Sequence, residues 1–399
     1  MPEHQGIEKG AKIAKKNIFD FLSFWSGLNN KFVIFTIIFF NMQGKKRRHS
    51  RATASIFDEV DWKILQYKCR SYFLNDPKLI RVVFIILIAF VSLLSFRFSE
   101  AIQDTDGEEI NSPADLGKKL FFDKILSKDY SISCSSCHKP AFGFADNVAF
   151  SKGVNDERTK RNVPSVMNVL ARPHFFYNGQ FSSLEAQATS PIESETEMDL
   201  DYTIAVQRIQ SDATYDSLFR KIYSAKPDSA NIVNAIAEFQ RSLESDGSAP
   251  HDQWMQGKDE QAMSASQIRG RELFLEKAKC FDCHFGPDFT GDEFRNIGLY
   301  DGKDLTDAGR FEITKDSSDL GKFKVPGLRN VGLTAPYMHN GQFETLEEVM
   351  DYYDDPYQFV AAPINMDSIM IEPLNLTEQE KEDLVNFMHS LTDANIPCR

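Results

Sequence analysis

Long alternations of apolar and polar residues are missing from this chain, so half-buried strands have little to build them and a sheet-based architecture is set aside. Cysteine and histidine are scarce, with 6 and 8 in 399 residues, so a motif that needs both in fixed order carries weight. Long hydrophobic runs are also nearly absent. Phe32–Phe40 is too short to span a bilayer, and the charge-free stretch Val82–Phe96 holds 15 residues where a spanning helix needs ~20. That length suits the core of a secretory signal peptide. Arg81 and Arg97 at its ends could instead snorkel to the two interfaces and extend residues 78–101 into an anchor. Lys78 and Arg81 precede the run, so the positive-inside bias puts everything after it outside the cytoplasm. Ser99-Glu100-Ala101 is a weak cleavage site, and the lack of any polar face argues against a buried core helix.

Positive charge is short overall but not everywhere. The formal net charge is −13, yet residues 1–81 hold 15 Lys and Arg against 7 Asp and Glu, which leaves the remainder strongly acidic. An acidic folded part argues against nucleic acid as a partner and suits small or basic partners, although diffuse charge is also what any solvated surface carries. Lys45-Lys46-Arg47-Arg48 reads as a cytoplasmic flank, with lipid headgroups or nucleic acid as the alternatives. Residues 1–77 form a basic N-terminal segment to which no function is assigned.

After residue 101 the chain repeats itself. Val163–Glu185 lies on Val325–Glu347 without a gap, with 10 of 23 positions identical, including Asn178-Gly179-Gln180-Phe181 on Asn340-Gly341-Gln342-Phe343. Upstream, Gly117-Lys-Lys-Leu-Phe121 leads to Cys134-Ser-Ser-Cys137-His138, and Gly270-Arg-Glu-Leu-Phe274 leads to Cys280-Phe-Asp-Cys283-His284. The readable periodicity is helical: Ile232, Val233, Ile236, Phe239 and Leu243 form one stripe. Thr377 with Glu380 forms a capping box ahead of Leu384, Val385, Met388 and Leu391. Asp246–Pro250 is turn-rich and marks the boundary between two domains, 102–247 and 248–399.

Cys-x-x-Cys-His is the attachment signature of c-type haem: two thiols at this spacing reach the two vinyl groups of one porphyrin, and the adjoining histidine lies under the iron. A zinc site would need four closing ligands, and a redox dithiol would sit in a βαβ unit. Neither context is present, so two covalent haem c groups are expected, on Cys134, Cys137 and His138 and on Cys280, Cys283 and His284. Attachment outside the cytoplasm agrees with the export signal. Cys69 and Cys398 lie on opposite sides of the hydrophobic segment and are read as incidental.

Residues from about 110 to 395 resemble the bacterial di-haem cytochrome c peroxidase family, which includes the tryptophan-oxidising MauG. The resembling pieces are Cys134–His138 with Pro140-Ala-Phe-Gly-Phe-Ala-Asp146, Asn162-Val-Pro-Ser165, Phe175–Gln187, Cys280–His284, Val325-Pro-Gly-Leu-Arg-Asn330 and Thr334–Gly341. The resemblance implies that the haem on His138 meets peroxide and the haem on His284 receives electrons from a small donor cytochrome or cupredoxin. It also implies an acid/base role for Glu197, with Gln187 as companion and Pro191 between them. By residue chemistry alone Glu193, Glu195, Glu197 and Asp199 are equivalent. A calcium ion between the domains is implied too, held by the Asn162 side chain and the carbonyls of Thr334 and Pro336.

Three positions depart from the classical pattern. Val154 occupies the register of a removable histidine ligand, which implies a first haem open at rest. Tyr353 occupies the register of the second haem's methionine ligand, as a tyrosine does in MauG; Met338, Met350, Met366 and Met370 are the rival ligands. Tyr177 replaces a tryptophan between the haems. His174 and His339 are read as structural or propionate contacts, and His251 and Trp254 as hinge packing. The expectation is an all-α fold: two tandem cytochrome c-like haem domains after an N-terminal signal or anchor segment. The protein would be a periplasmic peroxidase taking hydrogen peroxide, tethered to the inner membrane if the anchor is kept, with a homodimer left open. The rivals are a MauG-like oxidase of a protein or organic substrate, and a non-enzymatic electron carrier or sensor.

Overall fold

The computed structural model describes residues 109–398, and Gly107–Arg399 belong to one compact unit. The basic segment 1–77 and the hydrophobic segment 78–101 lie outside the described residues. Among the described residues no helix is long and apolar enough to cross a membrane.

The expected helical stripes become helices. The chain forms α1 (Pro113–Phe122), a single turn α2 (Cys134–Cys137), α3 (Leu184–Glu193), α4 (Tyr202–Ser211), α5 (Ala213–Tyr223) and α6 (Ser229–Ser242). After the loop at 243–249 come α7 (Pro250–Met255), α8 (Ala265–Leu275), a short α9 (Phe311–Thr314), α10 (Leu346–Asp354) and α11 (Glu378–His389). Ile232, Val233, Ile236 and Phe239 are buried on α6. Thr377 caps α11 through the expected box with Glu380. The fold is mostly helical rather than wholly so: Phe294–Arg295 (β1) pairs antiparallel with Phe323–Lys324 (β2). Two-residue strands are too short to show an alternation in sequence.

The two repeats build the same frame twice. In each, an early helix crosses a late one at a glycine: Gly117 of α1 faces α6 and Gly270 of α8 faces α11. A Cβ on Gly117 would lie 1.8 Å from the Ala235 carbonyl oxygen, and one on Gly270 would lie 1.9 Å from that of Asp383. Only a missing side chain permits so close an approach. An asparagine then clamps the end of each late helix. Asn168 donates its backbone N–H to Leu243 O at 2.8 Å, and Asn330 does the same to Leu391 O at 3.0 Å. Their side chains accept from Ser245 N and Asp393 N, both at 2.8 Å. Both asparagines have left-handed φ values of 56° and 63°, a conformation asparagine tolerates well.

Each frame has its own apolar core. Leu116, Leu120, Ile209, Phe219 and Ile232 anchor the first; Phe274, Leu346, Leu384, Phe387 and Leu391 anchor the second. Each such side chain contributes roughly 1.5–3 kcal/mol when fully buried. A third cluster joins Phe121, Phe144, Met167, Phe239 and Leu243 with Ile396 from the C-terminal tail, so the end of the chain packs into the first half.

Candidate haem centres and peroxide site

Each cysteine pair sits on one tight turn. The His138 N–H donates to Cys134 O at 2.9 Å and the His284 N–H to Cys280 O at 2.8 Å, which brings residues three apart onto one face. Cys134, Cys137, Cys280 and Cys283 are free thiols. Burial pushes Cys134 and Cys280 up to about 12 and Cys137 up to about 11. Burial raises Cys283 as well. At neutral pH all four are protonated, the opposite of the low-pKa thiolate that a redox dithiol needs. Among the described residues no group of three or more His, Cys, Asp and Glu is gathered as a metal site, so neither pair has the further ligands that zinc requires.

Both histidine rings are aimed by a phenylalanine carbonyl. His138 Nδ1 lies 3.1 Å from Phe144 O, and His284 Nδ1 lies 2.9 Å from Phe289 O. A carbonyl only accepts, so Nδ1 carries the proton and Nε2 keeps an open lone pair. Burial lowers the pKa of both rings and keeps them neutral. Aromatic triads hold the two carbonyls in place. Phe121 and Phe239 meet edge to face at 5.1 Å beside Phe144, and Phe274 and Phe387 meet at 5.2 Å beside Phe289. Sequence reasoning missed these triads; the signal available was the phenylalanine closing each Gly-x-x-Leu-Phe repeat. Two unpaired thiols beside an imidazole with a free Nε2 fit a covalently held haem at both places.

Around the second centre lies a cavity of roughly 290 Å³ lined by residues of both halves, among them Tyr177, Cys280, His284, Lys324 and Tyr353. Tyr353 on α10 is raised in pKa by burial first, and then by its nearness to Cys283 and Cys280. Met338, Met350 and Met370 also reach the wall. Met366 packs elsewhere, against Gly298, where an added Cβ would lie 2.7 Å from its Sδ. Asn162, Thr334 and Pro336 also line this cavity. Asn162 Nδ2 donates to the Val148 and Ala149 carbonyls at 3.2 and 3.3 Å, which leaves Oδ1 available as an oxygen ligand. His339 stacks on Phe323 at 3.8 Å, and burial lowers its pKa to about 4. His174 lies against Phe294, and His251 is wedged between Phe289 and Phe387.

The structure separates the four acids that sequence could not. Glu193 and Glu195 are exposed, and Asp199 is paired with Lys128 at 2.5 Å. Glu197 is half-buried, and burial raises its pKa against an opposing hydrogen bond from Ser194. Its charge adds, behind burial, to the raised pKa of both Cys134 and Cys137. The loop that carries it folds back over the end of α3, with Met198 N donating to Pro191 O at 3.1 Å. Gln187 is half-buried on that helix, one turn before Pro191. Val154 is buried and donates its N–H to Glu197 O at 2.8 Å, so it props the Glu197 loop.

Ion pairs join the halves. Arg161 grips Asp307 through two nitrogens at 2.7 and 2.6 Å and reaches Glu312 at 2.7 Å. Arg172 holds Asp288 and, at 2.7 Å, Asp292. Neither arginine stood out in the sequence, because their partners lie more than a hundred residues away.

Comparisons with known proteins agree with this geometry. The family model for di-haem cytochrome c peroxidase matches residues 111–260, and that for cytochrome c matches residues 267–392. The methylamine utilization protein MauG of Methylorubrum extorquens is 38% identical over 280 residues, covering 69% of this chain and 77% of that protein. The cytochrome-c peroxidase IdrP1 of Denitromonas iodatirespirans is 36% identical over 307 residues, covering 69% and 80% respectively. A solved MauG-like protein associated with microbial copper homeostasis superposes with a TM-score of 0.67 at 32% identity, covering 74% of this chain and 92% of that one. The chain therefore belongs to the di-haem cytochrome c peroxidase/MauG family of oxidoreductases, which carry two c-type haems.

Proposed function

We propose that this protein is a periplasmic peroxidase that reduces hydrogen peroxide to water with electrons from a small donor cytochrome or cupredoxin. The observation that carries this reading is Glu197, a half-buried acid with a raised pKa that lies near enough to both first-centre thiols to add to theirs. A haem held by Cys134, Cys137 and His138 would supply the redox-active iron for this reduction. Each peroxide takes two electrons and two protons to become two waters. Glu197 accepts the proton from one peroxide oxygen and returns it to the departing one, and its raised pKa suits it to both transfers. Gln187, half-buried in the first turns of α3, orients the peroxide by hydrogen bonding. Tyr177, on the wall of the cavity at the second centre, relays electrons between the centres. Val154 has no atom able to bind iron, which favours a first centre open without prior reduction. Asn162 Oδ1 with the Thr334 and Pro336 carbonyls offers hard oxygen ligands suited to one calcium ion. The domains 102–247 and 248–399 divide this labour.

Stopped-flow absorption of the oxidised protein with peroxide, followed by a reduced donor cytochrome, tests the reading. Rapid reaction and donor oxidation support it; no reaction in any redox state would move the assignment to an electron carrier or sensor. A second reading, a MauG-like oxidase of a protein or organic substrate, is favoured by Tyr353 lying beside Cys280 and Cys283. Tyrosinate ligation in the spectrum of the second haem would support it, and methionine ligation would oppose it.

A further inference from the structure

The duplication that relates the halves also relates two junctions between them. The alignment that lays Val163 on Val325 lays Asn162 on Lys324, Tyr177 on His339 and Arg172 on Thr334. The hydrogen bonds obey it: Asn162 N donates to His339 O, and Lys324 N donates to Tyr177 O, both at 2.7 Å. One junction thus carries Asn162 and Thr334, two neutral residues. Its counterpart carries Lys324 and Arg172, two cations.

Those cations are not equivalent. Arg172 is engaged at both ends by Asp288 and Asp292. Lys324 lines the cavity at the second centre, yet among the described residues no carboxylate lies within 4.0 Å of its Nζ. Burial pushes its amine down to about 8, with Asp292 opposing and Arg172 adding to the fall. A buried ammonium without a partner is costly, and a bound carboxylate relieves that cost. The cavity wall also carries Cys280, Cys283 and His284, and a haem c held there brings two propionate carboxylates with it.

We infer that Lys324 Nζ binds a propionate of the second haem and that its positive charge holds up the reduction potential of that haem. A nearby cation disfavours the more positive oxidised iron, so Lys324 is a positioning residue acting through the haem it orients. The inference rests on the di-haem reading.

Spectroelectrochemical titration of the purified di-haem protein, following each haem by its own absorption band, tests it on wild type, Lys324→Met and Lys324→Arg. Haem content is measured alongside. The expected result is a lower midpoint for the second haem in Lys324→Met, an unchanged first haem, and near wild-type values in Lys324→Arg. Loss of the second haem in Lys324→Met but not in Lys324→Arg would equally support carboxylate anchoring. Unchanged midpoints with both haems retained, equal shifts of both haems, or loss of the second haem in both variants would overturn the inference. Wild type carrying fewer than two haems would instead overturn the reading beneath it.

Discussion

The first and second halves share a glycine-centred helix crossing, an asparagine clamp, an aromatic triad and a thiol–thiol–histidine turn, but they differ in the charge placed around that turn. In the first, a half-buried acid, Glu197, is carried by a loop that folds over the end of α3 and that Val154 props. In the second, the wall carries Lys324, Tyr353 and methionines. One half therefore offers a proton acceptor and the other offers a cation and soft or phenolic ligands. The lesson is that duplication copied the frame, and divergence acted on the few side chains that the frame aims at the centre.

The comparison can be broken most directly at Glu197. Glu197→Gln should slow the reaction with peroxide by about 10²–10⁴-fold, while both haems keep their resting spectra. The reactive form of Glu197 is the carboxylate. Since burial raises its pKa, the wild-type rate should fall as pH drops through a value above the ordinary 4.5, and Glu197→Gln should lose that limb. A stopped-flow pH series checks both; an unchanged acidic limb would remove Glu197 from the site.

The shared frame is tested next. Gly117→Val and Gly270→Val each force a Cβ into a carbonyl closer than 2 Å, and each should cost ~1–3 kcal/mol or more, seen as lost thermal stability or lost soluble yield. Similar losses in both would bear out a truly duplicated crossing. The clamps should differ slightly. Asn330→Ala strips a partner from Asp393, whose Oδ1 is already buried without one, and should cost ~1–3 kcal/mol. Asn168→Ala faces Ser245 and should cost ~1 kcal/mol. Paired denaturant melts would check the order, and a reversed order would mean that the Asp393 environment is less demanding than its burial implies.

The smallest effect on stability sharpens the contrast in ligands. Tyr353→Phe should change stability by no more than about 1 kcal/mol while altering only the second haem's spectrum. An unchanged spectrum would hand the ligand role to Met338, Met350 or Met370.

Much of this was legible in sequence because it is local or repeated. The α6 and α11 stripes, the capping box at Thr377, the duplication and both Cys-x-x-Cys-His turns depend on neighbours within a few residues, or on self-similarity that one sequence can display. The two short strands were not legible, because two residues cannot show a period. Nor was the choice among Glu193, Glu195, Glu197 and Asp199, since those side chains are chemically alike until burial distinguishes them.

By itself the sequence determined the α6 and α11 stripes, the doubled frame and the two Cys-x-x-Cys-His turns. Only the tertiary structure decided which of the four acids is shifted by burial, that Lys324 lines the cavity without a carboxylate partner among the described residues, and which tyrosine lies beside the second pair of thiols. Desolvation and long-range pairing set those outcomes. Both depend on groups brought together from distant parts of the chain, such as Arg172 with Asp288 or Tyr177 with Lys324.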